Sequence, residues 1–291
     1  MPKKLNWLYF ALALFTIIVW GSTFAATKIL LSFIPPITLL IYRFFFSYLV
    51  LLCFAPKRIK STWREELLFL AAGLTGGTLY YLGENFALSF STASNVGLLT
   101  ATAPLFTAIV IRYASPNEKI TRGIILGSTL ALFGVACIVL NGNFSFQIRP
   151  LGDLLALLAA FSWALYALAI KKIATRFPSV YITKKVFLYA FLTSLPLSLT
   201  PNFDWSFAAF TNPSVLIYLL YLSVFASALG YFVWNIVMHH LGPVRANNFI
   251  YFVPLISLFF AFLLLGEQLT IYMALGAICI ILGVFITERS H

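Results

Sequence analysis

The chain has 291 residues, of which 62% are hydrophobic and only 9% charged, with a formal net charge of +11. A soluble domain carries roughly 25% charged residues, so too few polar side chains exist here to cover a water-facing surface, and the solvent of this chain is largely lipid. The positive charge does not point to nucleic acid, because the basic residues fall in short connections between apolar runs.

Ten apolar runs are long enough to cross a hydrocarbon core about 30 Å thick: residues 7–27, 37–55, 67–88, 93–113, 122–140, 152–171, 181–199, 214–238, 246–265 and 270–287. Each is predicted to be helical, since no water at that depth can satisfy free backbone groups. The first begins like a secretory signal, with Lys3 and Lys4 ahead of an apolar core. Its apolar run continues past residue 20 and further spans follow, so it reads as a retained span. The connections at 89–92 and 266–269 are short enough to make their neighbours antiparallel hairpins.

Span 1 carries Trp20, Ser22 and Thr23, and span 2 carries Arg43. Span 3 carries Tyr80, Tyr81, Glu84 and Asn85. An ionised group near mid-span costs about 2.5–3.5 kcal/mol on insertion scales and usually faces the bundle interior with a partner. Arg43 and Glu84 lie at similar depth and form a candidate structural pair. Alternatively, Glu84 lines a cavity, where it takes up a proton or meets a cationic group of a substrate, or it snorkels to the interface. Pro104 sits within span 4, where the missing N–H and the ring kink a helix. Gly127 and Gly134 recur seven residues apart on span 5 as a small-residue seam.

The second half repeats this order. Span 6 carries Trp163 and Tyr166; span 8 carries Tyr231, Trp234 and Asn235; span 9 carries Asn247, Asn248, Tyr251 and Pro254; span 10 carries Gly276 and Gly283. The stretch from Pro104 through Glu118 to Gly134 recurs from Pro254 through Glu267 to Gly283, offset by 150 residues at the prolines and 149 at the later positions. Tyr81 and Asn85 match Tyr231 and Asn235, and Trp20 matches Trp163. The expected division is therefore a first five-span repeat, 1–141, and a second, 142–291. With the N-terminus inside, 16 Lys and Arg fall in inside segments and only Lys28 and Arg149 in outside ones, which orients both termini to the cytoplasm. Five spans per half is odd, so the second copy is inverted.

Trp20, Thr23, Tyr81, Glu84, Asn85, Trp163, Tyr166, Tyr231, Trp234, Asn235 and Tyr251 are the candidate cavity residues, set against the plainer reading of aromatic packing and interhelical amide hydrogen bonds. Adjacent His239 and His240 point in different directions on a helix and make no shared metal site. Cys53, Cys137 and Cys279 lie inside apolar runs at no ligand spacing and read as small hydrophobes. No G-x(4)-G-K-[ST] loop occurs, so ATP is not the energy source and no cofactor is called for.

The ten-span arrangement, the Trp-bearing first and sixth spans and the ending Pro254, Gly266, Glu267, Gly276, Gly283 resemble the EamA-type members of the drug/metabolite transporter superfamily. The first half departs from the pattern, with Asn117 where Gly is expected before Glu118. The resemblance implies a permease of the bacterial inner membrane, usually an exporter of amino acids or other small metabolites, with a central cavity between two halves. The expectation is thus an all-α polytopic membrane protein of ten transmembrane helices in two inverted five-helix repeats. It works as a secondary transporter by alternating access, not as an enzyme, with a small molecule and membrane lipid as partners. The alternatives are a channel, a non-transporting scaffold or a membrane-embedded transferase. Glu84 is the candidate for proton coupling, and substrate, direction and oligomeric state stay open.

Overall fold

The computed structural model describes residues 3–90, 93–115, 121–140, 149–201, 203–204, 211–257, 259 and 270–290. Helices account for the architecture of these residues: α1 (Lys3–Leu31), α2 (Pro36–Phe54), α3 (Trp63–Gly73), α4 (Tyr80–Phe90), α5 (Ala93–Thr100), α6 (Ala103–Ala114), α7 (Arg122–Leu140), α8 (Pro150–Ile173), α9 (Ser179–Ser194), α10 (Pro213–Leu220), α11 (Gly230–Leu241), α12 (Pro243–Asn248) and α13 (Ile271–Arg289). Their ends follow local chemistry. Thr62 caps α3 in a reciprocal box with Glu65, Asn212 accepts from the Ser214 N–H at the start of α10, and Thr270 accepts from the Met273 N–H at the start of α13. Gly242 takes φ +81°, the left-handed turn that ends α11 ahead of Pro243.

Six described segments are long and apolar enough to cross a membrane: Pro36–Phe54, Val96–Ala114, Arg122–Leu140, Pro150–Ile173, Pro213–Leu241 and Ile271–Arg289. A shorter apolar helix covers Trp7–Thr23. The remaining expected spans take other forms. The third runs as α3, a π-helical stretch and α4, and carries Glu65, Glu66 and Glu84. The seventh is α9, of 16 residues, continued by a 3-10 turn at Leu195–Leu199. The ninth begins with α12 and a 3-10 turn at Phe249–Phe252, and most of its second part lies outside the described residues. The repeated Glu118 and Glu267, with Asn117 and Gly266, are outside them too.

Two π-helical stretches interrupt long helices: Leu74–Leu79 between α3 and α4, and Tyr221–Leu229 between α10 and α11. They occupy matching positions in the two halves at the offset of 150 that relates Tyr81 to Tyr231. Apolar sequence alone does not mark such widened turns.

The helices of one half pack chiefly on those of the other: α4 lies on α8 and α11 on α1; α3 lies on α9, and the second π stretch on α2. The longest pairing joins α7 to α13. There the four predicted seam glycines meet reciprocally. A Cβ built on Gly134 would stand 2.6 Å from Gly276 O and one on Gly276 2.6 Å from Gly134 O, and Gly127 faces Gly283 in the same way. These contact-forming positions exchange places when one half is read for the other. Pro104 falls in the first turn of α6, directly after a turn at 101–102, and Pro254 follows the 3-10 turn at Phe249–Phe252. Both prolines thus lie beside a real break in the helix.

Large apolar side chains cover the outer surface of the bundle. Leu126 and Phe133 on α7 and Leu275, Ile281 and Phe285 on α13 are exposed, as lipid-facing residues are. The largest buried cluster instead gathers aromatic rings from α1, α2, α4, α8, α9 and α11.

Candidate functional site

The aromatic cluster forms where the two π stretches face each other's half. Trp20 packs edge-on against Trp163 with centroids 5.5 Å apart, against Tyr231 at 5.7 Å and against Trp234 at 5.0 Å. Trp163 meets Tyr80 at 5.3 Å and Tyr166 at 5.0 Å. Phe44 and Phe187 close the far side against Tyr81 and Tyr231. Tilted and edge-on pairs of this kind match the ring quadrupoles and add about 0.5–1.5 kcal/mol each beyond burial.

Several polar groups of the cluster bond across the halves, and others bond within the second half. Trp20 Nε1 donates to Ala226 O at 2.9 Å, and Ser47 Oγ donates to Ser223 O at 2.9 Å, both carbonyls of the second π stretch. Tyr231 OH donates to Gly76 O at 2.7 Å and Ser162 Oγ to Thr75 O at 2.7 Å, both carbonyls of the first. Each π stretch therefore offers backbone carbonyls to side chains of the opposite half. Tyr166 OH donates to Asn235 Oδ1 at 2.7 Å, and Asn235 Nδ2 passes the chain on to Thr183 Oγ1 at 2.9 Å. Trp163 Nε1 donates to Asn247 Oδ1 at 2.6 Å.

Arg43 is buried, at 6% exposure. Its Nε donates to Ser227 Oγ at 2.6 Å and its guanidinium lies 4.6 Å from the Tyr81 ring centroid. Tyr81 in turn hydrogen-bonds Tyr231 and Ser227. Glu84 shares a hydrogen bond with Tyr80 and feels the Arg43 charge. The structure thus brings Arg43 and Glu84 into one network, linked through Ser227 and two tyrosines. Tyr80, Tyr81 and Glu84 are enclosed by protein, yet each keeps part of its surface accessible. Groups that are deep and accessible at once line a cleft. Trp20, Ser22, Thr23 and Asn85 share this half-buried state, whereas Trp163, Tyr166, Tyr231, Trp234 and Asn235 are buried beneath them.

Ten of the eleven candidate residues lie on α1, α4, α8 and α11. Tyr251 lies elsewhere, packed with Ala131, Val135 and Ile280 against the α7–α13 seam. The sequence did not single out Ser47, Ser162, Ser223 or Ser227, nor the carbonyls of Thr75 and Gly76. Hydroxyls inside apolar runs at matching depth in the two halves, beside the Gly76–Gly77 pair, were the available signal.

Beyond the cluster, the end of the bundle carrying Glu65 and Glu66 is tied by ion pairs. Glu65 binds Arg176, and Glu66 binds Lys185 with its Nζ at 2.7 Å as well as Ser61 and Tyr189. Burial pushes the Glu66 carboxyl up, but the hydrogen bonds from Lys185, Ser61 and Tyr189 outweigh it and hold it below the usual carboxylate range. Lys184 Nζ donates to Lys57 O at 3.0 Å and also to Ala55 O. At the same end Tyr9 stacks on His240 at 4.0 Å, and Arg245 pairs with Glu288. No group of three or more metal-ligating side chains occurs among the described residues.

Comparison with known proteins fits this architecture. The model of the EamA-like transporter family matches twice, over residues 7–140 and 150–289. An uncharacterized transporter of Archaeoglobus fulgidus is 29% identical over 284 residues, covering 95% of this chain and 96% of its own. A probable amino-acid metabolite efflux pump of Salmonella typhimurium is 29% identical over 286 residues, covering 94% of this chain and 93% of its own; its Escherichia coli namesake aligns to the same extent. A crystal structure 18% identical in sequence superposes over 96% of each chain with a TM-score of 0.79, a likeness of fold. The chain is a multi-pass membrane transporter and belongs to the EamA-like transporter family.

Proposed function

We propose that the protein is a secondary transporter of amino acids or similar small metabolites, working by alternating access between two inverted five-span halves. The observation that carries this reading is the cleft of Trp20, Tyr80, Tyr81 and Glu84, deep in the molecule yet accessible, at the meeting of the two halves. Carriers of this construction bind substrate at the repeat interface near the midplane. The reciprocal glycine seam supports the inverted repeat, since it exchanges onto itself when the halves are swapped, and each π stretch receives hydrogen bonds from the opposite half. The amino-acid metabolite efflux pumps among its relatives support the substrate class and an outward direction.

The distribution of Lys and Arg supports an inner-membrane orientation with both termini in the cytoplasm. In that frame the accessible residues of the cleft lie toward the outside. The inner end is closed by buried Tyr166, Trp234 and Asn235, the Tyr9–His240 stack and the Glu65–Arg176 and Glu66–Lys185 pairs. Such an arrangement fits an outward-open state whose inner ion pairs part when the cleft turns inward.

Counterflow in proteoliposomes tests the proposal. Vesicles preloaded with unlabelled phenylalanine are expected to accumulate labelled phenylalanine transiently and faster than empty vesicles. Uptake indifferent to internal substrate, for this and a panel of other amino acids, points instead to a channel or a scaffold.

A further inference from the structure

We infer that the bundle holds a binding site for one acidic phospholipid, in a cavity between the link 55–62, which joins α2 to α3, and the start of α9. The site lies apart from the aromatic cleft and stands whichever substrate is carried. The cavity has a volume of about 270 Å³ and its lining includes Phe54, Pro56, Lys57, Ile59, Val180 and Tyr181. Its two walls come from opposite halves and are pinned together. Tyr181 OH donates to Ile59 O at 2.9 Å, and buried Lys184 donates from its Nζ to Lys57 O and Ala55 O. A pocket that buries a whole drug-sized ligand measures roughly 300–1,000 Å³, so this one takes part of a larger molecule.

The charge around it is unbalanced. Arg176, Lys185 and Arg245 at this end of the bundle each meet a carboxylate. Lys57, Arg58 and Lys60 on the link, with Arg64 in the first turn of α3, are exposed and form no ion pair among the described residues. Lys57 lines the cavity itself, and Arg58 is near enough for its charge to act on Lys184. Like charges gathered on one short link repel, and an anion placed among them relieves that repulsion.

Large apolar side chains alternate with these cations. Phe54 is 78% exposed and Trp63 76% exposed. Phe54 ends α2, a segment long and apolar enough to span a membrane, which sets the mouth of the cavity at the membrane surface, the level where Trp is favoured. A soluble anion would satisfy the cations and leave the apolar walls wet. A neutral lipid would cover the walls and leave the cations without a counter-charge. An acidic phospholipid answers both, with its phosphate on Lys57 and Arg58 and its glycerol and first acyl carbons against Phe54, Ile59 and Val180. On the proposed topology the link faces the cytoplasm, where basic recesses beside helix ends take acidic headgroups.

Native mass spectrometry of the full-length protein in detergent, titrated with dioleoylphosphatidylglycerol or dioleoylphosphatidylcholine, reads the affinity for a single bound lipid. One basic residue near an acidic headgroup changes affinity roughly fivefold, so the phosphatidylglycerol is expected to bind about tenfold tighter or more. Lys57→Ala/Arg58→Ala should remove most of that preference. Arg122→Ala/Arg289→Ala takes away the same charge at the start of α7 and the end of α13 and should leave it intact. Val180→Trp fills the cavity with every cation in place and should also abolish tight binding. Equal affinity for the two lipids overturns the inference. Equal losses in the two double variants overturn it as well, since they mark a diffuse attraction to surface charge, and so does tight binding that survives Val180→Trp. Displacement of the lipid by millimolar inorganic phosphate identifies a site for free anions and rejects the lipid. Should the Trp variant fail to fold, the order of the two lipids and the two double variants, all at exposed positions, still decide.

Discussion

Replacing Tyr231 with Phe keeps the ring that packs on Trp20, Tyr166 and Phe187 and removes one oxygen. That oxygen donates to Gly76 O in the opposite half. An interhelical hydrogen bond in a membrane contributes about 0.6–2 kcal/mol, and a buried carbonyl left without a donor costs about 1–3 kcal/mol. Tyr231→Phe is therefore expected to destabilise the detergent-solubilised protein by about 1–2 kcal/mol, read as a lower midpoint of unfolding. An unchanged midpoint rejects the bond as a tie between halves. The ring was legible in the sequence, since Tyr231 repeats Tyr81 and sits deep in its span. Its acceptor was not, because a backbone carbonyl released by a widened turn leaves no mark in residue identity. For the same reason Ser227, which holds Arg43, passed as one more small residue in an apolar run.

At the level of helices, α7 and α13 approach so closely that their glycines are a steric requirement. A Cβ on Gly283 would meet Ala131 N at 2.6 Å, and one on Gly134 would meet Ile280 N at 2.8 Å. These neighbours are backbone atoms, which yield only if the whole helix moves. Gly134→Leu or Gly283→Leu is expected to abolish the monodisperse folded protein or to lower its yield severely, measured by fluorescence-detected gel filtration. Gly97 in α5 supplies the control, because nothing lies within 4 Å of the Cβ it would gain. Gly97→Ala should be neutral or stabilising by up to about 1 kcal/mol. A tolerated leucine in the seam means that the helices do not meet there. The seam was readable from the seven-residue spacing of glycines, and the prolines were readable as breaks. The two π stretches were not, and it is these that widen the third and eighth spans where they bear on the cleft. Element lengths were legible where one helix runs unbroken: Pro36–Phe54, Arg122–Leu140 and Pro150–Ile173 match the expected spans, while the third and seventh expected spans mix helix types.

On the proposed topology, 16 Lys and Arg fall on the inner side and two on the outer. A fluorescent-protein fusion at the C-terminus is expected to be bright and an alkaline phosphatase fusion at the same point inactive, as for a cytoplasmic end. The opposite pair of results overturns the assigned orientation and, with it, the outward opening of the cleft. The crossed hydrogen bonds also bear on how the protein is made. Arg43 precedes Ser227, its partner, by 184 residues, which at roughly 5–20 residues per second is a wait of about 10–40 s on the ribosome. During that interval the second span must hold a guanidinium in or near the bilayer, at a cost of about 2.5–3.5 kcal/mol, with no second half to receive it. The carbonyls of the first π stretch wait likewise for Ser162 and Tyr231. Insertion of the first half is thus a provisional state that only the newly synthesised second half completes, and a chain truncated between the halves becomes a client for membrane quality control.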